Sequence, residues 1–168
     1  MKSSLRSRAG ICLHVGLLCL LIGSGARAVA GPKEEEQPRN VELTNKAWEA
    51  HERGDYEAAI AAAERCIRRF KAEADKDEKE LEDKHAVLPP TGKVSPQQKK
   101  AIFEQGVLND VATCYWIEGH SAQQLHRNEQ ARGAYQAAAK YRYARTWDKR
   151  GWFWSPAEDA SDRLQDVK

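Results

Sequence analysis

Six aromatic rings fall within sixteen residues near the end of the chain: Tyr141, Tyr143, Trp147, Trp152, Phe153 and Trp154 in YRYARTWDKRGWFWSP. Large, rigid rings grip a peptide or a sugar face with little loss of side-chain entropy. They also serve to cover the exposed end of a helix stack; Trp48, beside the small Ala47, reads as packing, and Trp116, beside Tyr115, as lining the outer edge of its helix. The carboxylates that could work on a glycosidic bond are Asp110, Glu118 and Asp148, since that reaction needs one carboxyl as acid and a second as base or nucleophile. In a chain with 25 acidic residues, however, solvated helical carboxylates are the default. His120 and His126 are six residues apart, about 600° of helical rotation, so they point to different faces and do not share a metal. Cys114 stands four before Glu118 and six before His120, too sparse a set for a metal site. The sequence contains no nucleophile elbow, phosphate loop, paired-cysteine zinc pattern or zinc-protease helix. The expected mode of action is therefore binding, with no catalytic residue, metal or cofactor.

The elements that must position these residues follow an export-like leader. Lys2, Arg6 and Arg8 precede the apolar run ICLHVGLLCLLIG and then small residues around Ala28 and Ala30, which predicts a signal peptide over residues 1–30. The run is shorter than the roughly 20 apolar residues that span a bilayer, so no membrane span is expected after removal. Residues 1–30 hold four basic and no acidic residues; the remaining 23 basic residues face 25 acidic ones, and the formal charge of +2 becomes −2. That balance, together with export to the periplasm or exterior, argues against nucleic acid as partner. Residues 31–40, GPKEEEQPRN, have no apolar periodicity and are expected to form a flexible leader, leaving 41–168 as one domain.

Everything beyond residue 40 is expected to be helical. A first helix ends at Gly54-Asp55, where glycine supplies the left-handed residue. A second begins near Tyr56 and carries Ile60, Ala63, Ile67, Phe70, Ala74, Leu81 and Leu88 in steps of three and four, extending about thirty residues towards Pro89-Pro90. Ser95, Pro96 and Gln98 form a helix start with a capping box. From there a single long helix is expected to reach Leu125, with a break at Asn109-Asp110 as the alternative. A fourth helix covers about Glu129 to Tyr141, and a last one starts at Ser155-Pro156.

Two segments, KAWEAHERGDYEAAIAAAERCI and YWIEGHSAQQLHRNEQARGAYQAAAKY, resemble the tetratricopeptide repeat, a 34-residue helix-turn-helix. Leu43 precedes Ala59 by sixteen residues, as Tyr115 precedes Ala131, and His126 stands where the first copy has its turn glycine. The equivalent points are 72 residues apart, so the chain is similar to an exported, degenerate two-repeat bacterial type. The resemblance implies an all-α array in which the second and third helices extend as a long antiparallel hairpin and the C-terminal helix caps the stack. It also implies recognition of a protein or peptide of the cell envelope or exterior, on the groove formed by the first helix of each repeat. Glu49, Arg53, Glu118 and Gln123 are the groove candidates, with Trp147, Trp152 and Trp154 as further contacts. The C-terminal stretch is also similar to exported repeat proteins carrying a beta-glucanase label, which makes carbohydrate binding or hydrolysis through the aromatic segment the alternative.

Hairpin geometry places the two remaining cysteines. With the turn near residues 90–91, residues at one level have indices adding to about 181, and those of Cys66 and Cys114 add to 180. A disulfide between them would stabilise by at most about 4 kcal/mol, but helix spacing leaves bonded and free forms both open.

Overall fold

The structure, a computed structural model, describes residues 39–167; the expected signal peptide and residues 31–38 of the expected leader lie outside them. Six helices and one short hairpin follow in order: α1 Arg39–Glu52, α2 Tyr56–Asp83, α3 Pro96–Phe103, α4 Gly106–Gln124, α5 Asn128–Ala138, β1 Thr146–Asp148, β2 Trp152–Trp154 and α6 Pro156–Arg163. None of these helices is long and apolar enough to cross a membrane.

Two helical pairs form the frame. In each, a residue at positive φ reverses the chain: Gly54 at +74° between α1 and α2, and His126 at +58° between α4 and α5. Asp55 then caps α2 by accepting from the Ala58 amide. Helices α1 and α4 run parallel. Asn40 Nδ2 donates to Asp110 at 2.7 Å, the Thr44 hydroxyl meets Cys114 Sγ at 3.4 Å, and His51 Nε2 meets His120 Nδ1 at 2.6 Å. Each bond spans 69 or 70 residues, so one helix lies beside the other with nearly constant offset. The helices approach closely because small residues stand at the contacts: Ala47, Ala59, Ala63, Ala112, Ala122 and Ala131 are all fully buried.

The chain departs from its expected outline in four places. The leader ends earlier than expected: Arg39 and Asn40 belong to α1, and Asn40 is buried because its amide is needed by Asp110.

The single long helix from Pro96 is divided at Glu104-Gln105, next to Gly106 and not at Asn109-Asp110. Asn109 holds that break open, its Nδ2 donating to the Ile102 carbonyl at 2.6 Å and its Oδ1 accepting from the Arg145 amide at 2.7 Å. The capping box at Ser95 and Gln98 forms as expected.

The antiparallel pair forms between α2 and α4, but the two long arms expected to extend beyond it do not: α2 ends at Asp83 with His85 at φ +49°, and the expected third helix is broken into α3 and α4. The free end of α2 is covered instead by the segment after α5. Tyr141 donates to Asp75 at 2.6 Å, and Glu78 accepts from the amides of Arg142 and Tyr143 at 2.7 and 3.2 Å.

Lastly, residues 146–154 are a two-stranded antiparallel sheet, paired Thr146 to Trp154 and Asp148 to Trp152, around Gly151 at φ +100°. The strands are three residues each, too short for alternation to show in the sequence. Gly92 adds an isolated bridge to Phe153, tying the loop after α2 to the hairpin.

Candidate functional site

A cavity of about 580 Å³ lies where α1, α4 and the hairpin meet. Its wall on α1 is Thr44, Asn45, Trp48 and Glu52; its wall on α4 is Gly106, Asn109, Asp110 and Thr113. Both sets recur at helical steps of three and four, so each is one stripe of its helix. The hairpin closes one side with Trp147, Asp148 and Trp154. Phe103 stands at the rim, 49% exposed, with its ring 6.0 Å from Trp147 and 5.4 Å from Phe153.

The aromatic segment is divided between packing and surface. Tyr141, Tyr143 and Phe153 are buried, whereas Trp147, Trp152 and Trp154 are half-buried. Trp147 and Trp154 line the cavity; Trp152 does not, and has the Arg150 guanidinium 5.5 Å from its ring. Trp154 meets Trp116 edge-on at 5.1 Å, and Trp116 stacks on His120 at 5.0 Å. Trp154, Trp116 and His120 thus form one cluster between α4 and the hairpin, with Trp154 packed against the core.

None of the four groove candidates lines the cavity. Glu118 accepts from Gln130 and Gln123 accepts from the Tyr135 hydroxyl at 2.8 Å, which turns both towards α5. Glu49, on α1, and Arg53, in the turn after it, are exposed outside the stripe that runs through Trp48 and Glu52. The candidates share the helices α1 and α4 with the cavity, or lie at their ends, but not the face that lines it. The stripe Thr44, Asn45, Trp48, Glu52 was available as a spacing; its mixed polarity hid it among the solvated positions.

Charge inside the cavity is largely matched. Lys149 Nζ pairs with Glu52 at 2.8 Å, and Arg150 Nη2 pairs with Asp148 at 2.9 Å. The Arg150 contacts hold the Asp148 carboxyl at about 2. The Arg145 guanidinium donates to the carbonyls of Pro89, Arg142 and Ala144. Asp110 differs: burial raises its pKa to about 6, opposed by hydrogen bonds from the neutral side chains of Asn40 and Thr44.

Below the cavity, Cys66 and Cys114 stand at one level, as their indices require. Both are free, buried thiols at the Thr44 hydroxyl, 3.7 and 3.4 Å from it respectively. Burial pushes the Cys114 thiol up, which keeps it protonated. His51 and His120 share one hydrogen bond beside Trp48 and Trp116; burial lowers both pKa values, that of His120 to about 4. His126 is on the turn and exposed, away from this pair.

No family model matches the chain, and neither does any curated protein or solved structure.

Proposed function

We propose that this chain is an exported, non-catalytic binding module of degenerate tetratricopeptide-like type, which holds a segment of a protein or peptide partner of the cell envelope or exterior. The observation that carries the reading is the cavity between the parallel helices α1 and α4, rimmed by Trp48, Trp147, Trp154 and Phe103. A volume of about 580 Å³ sits within the range of specific small-ligand pockets and accommodates several side chains of an extended segment. The 72-residue correspondence of Gly54 with His126, and of buried Ala59 with buried Ala131, supports two copies of one helical pair. In such an array the first helices line one surface.

Binding fits the electrostatics better than catalysis does. A glycosidase needs two carboxyls with separate roles, whereas Glu52 and Asp148 are each engaged by a cation, leaving Asp110 as the one acid of the cavity without an ionic partner among the described residues.

The test is selection of peptides from a displayed random library on the mature chain, followed by Asn45→Trp. Asn45 is exposed at the cavity wall, so the larger ring fills the trough without disturbing the core. Peptides that bind the parent and lose at least tenfold affinity for the variant, at unchanged melting temperature, support the reading. Selection of no peptide, with neutral oligosaccharides bound instead, replaces it with the carbohydrate alternative.

A further inference from the structure

Among the described residues, two charged groups that line the trough have no ion-pair partner, Arg145 and Asp110, and of these only the acid is without a full set of strong hydrogen bonds. Glu52 on α1 is matched by Lys149, Asp148 on the hairpin by Arg150, and the Arg145 guanidinium is taken up by three carbonyls on the side facing the loop after α2. Asp110 on α4 has Asn40 and Thr44, which are neutral. Removing a carboxylate from water without a cation is costly, and the cost is recovered when a cation arrives. The rings of the trough attract cations as well. Lys99 Nζ already lies 3.8 Å from the centroid of Trp147, so one of the chain's own ammonium groups settles on such a face. Trp48 and Trp154 line the same cavity, and neither has such a cation over its ring among the described residues.

Resting on the peptide-binding reading, we infer that the trough is a pocket for a basic side chain of the partner, a lysine or arginine whose charged end meets Asp110 and whose aliphatic stem lies against Trp48 and Trp154. An alkyl stem between aromatic faces with one carboxylate at the end is the complement of lysine or arginine, which bury their methylenes while keeping the charge satisfied. The lining supports the split: its carbon-rich part is aromatic, and its one acid without an ionic partner among the described residues is Asp110. The raised pKa of Asp110 is the expected mark of such a vacancy in charge, and binding of a cation reverses it.

The experiment titrates the mature chain with capped tripeptides Gly-X-Gly in which X is lysine, arginine, norleucine or glutamine, with n-butylammonium chloride and cellotriose as further arms. Tryptophan fluorescence and the Asp110 carboxyl resonance are followed. Lysine and arginine probes are expected to bind at least tenfold more tightly than norleucine, which has the same stem without the charge. Asp110→Asn removes that difference. In the parent chain the lysine probe lowers the pKa of Asp110 by at least one unit, a readout that does not depend on the variant's folding.

Equal binding of lysine and norleucine, or an Asp110 pKa that does not move, overturns the inference. Butylammonium binding as tightly as the lysine tripeptide overturns the side-chain assignment in favour of a free amine, and binding of cellotriose alone overturns both. If library peptides occupy the trough and are blocked by Asn45→Trp, yet Asp110→Asn changes nothing, peptide binding stands and the basic-side-chain inference falls.

Discussion

His126 adopts φ +58° seventy-two residues after Gly54 adopts +74°, and each is the residue that turns a first helix into its second. For histidine that conformation carries a steric cost that glycine lacks. His126→Gly is therefore expected to raise stability, by about 0.5–1 kcal/mol, the relief of strain being partly offset by the greater freedom of the unfolded chain. Replacement by valine at the same position should lower it. Urea denaturation of the two variants checks the pair of signs.

The second helical pair differs from the first in how it fills its contact. Gly119, the counterpart of Ala47, lies under the Tyr135 ring, and a Cβ there would come 2.7 Å from a ring carbon. Gly119→Ala should destabilise by about 1–3 kcal/mol, the usual cost of overpacking. A second change, Tyr135→Leu, should recover part of that loss when combined with it, although each alone is unfavourable. A double-mutant cycle by thermal denaturation shows whether the two are coupled.

Asn109 joins three parts of the site, bridging the Ile102 carbonyl and the Arg145 amide from α4. Asn109→Ala leaves both groups without that partner and is expected to cost about 2–6 kcal/mol, at about 1–3 kcal/mol for each buried group left unsatisfied. Because the same bonds fix α3 and the start of the hairpin, the variant should also weaken peptide binding. Asn109→Asp keeps the acceptor for Arg145 and loses the donor to Ile102, so its stability should fall between the two.

Acid affects two buried groups in opposite directions. His120 titrates near 4 in the fold and near 6.5 when unfolded, so between those values the unfolded chain binds the extra proton and stability falls as pH drops. Arg163, His51 and Asp159 face it, the first two opposing its charge. Asp110 titrates near 6 in the fold against roughly 3.9 unfolded, so over that window the folded chain binds the extra proton and stability rises as pH drops. Melting temperatures from pH 7 to pH 4 should therefore decline more steeply in Asp110→Asn than in the parent, and less steeply in His120→Gln.

Much of the frame was legible because it depends on local rules. Ser95, Pro96 and Gln98 make a helix start wherever they occur, Gly54 ends α1, and the stripe through Ile60 and Ile67 requires a partner helix. The index sum of an antiparallel pair turning near residues 90–91 placed the two cysteines at one level, and they meet there at Thr44 even though α3 and α4 do not form one helix. What could not be read depends on distant partners. The break before Gly106 is held by Asn109 reaching both Ile102 and Arg145, thirty-six residues away. The extended end of α2 is satisfied by Tyr141 and the amides after it, which no periodicity in α2 announces. The same is true of the trough. Glu118 and Gln123 were nominated as polar groups on a first helix, but only the position of α5 decides that they face inwards, and only the hairpin makes Trp147 and Trp154 part of a cavity.

The most direct measurement follows the five indole N–H resonances of the chain during titration with a peptide selected from the displayed library. Binding in the trough predicts that Trp48, Trp147 and Trp154 shift in step with occupancy while Trp152, outside the cavity, stays in place. Movement of Trp152 with Trp48 and Trp147 unchanged would contradict the account, because the partner would then sit on the opposite side of the hairpin.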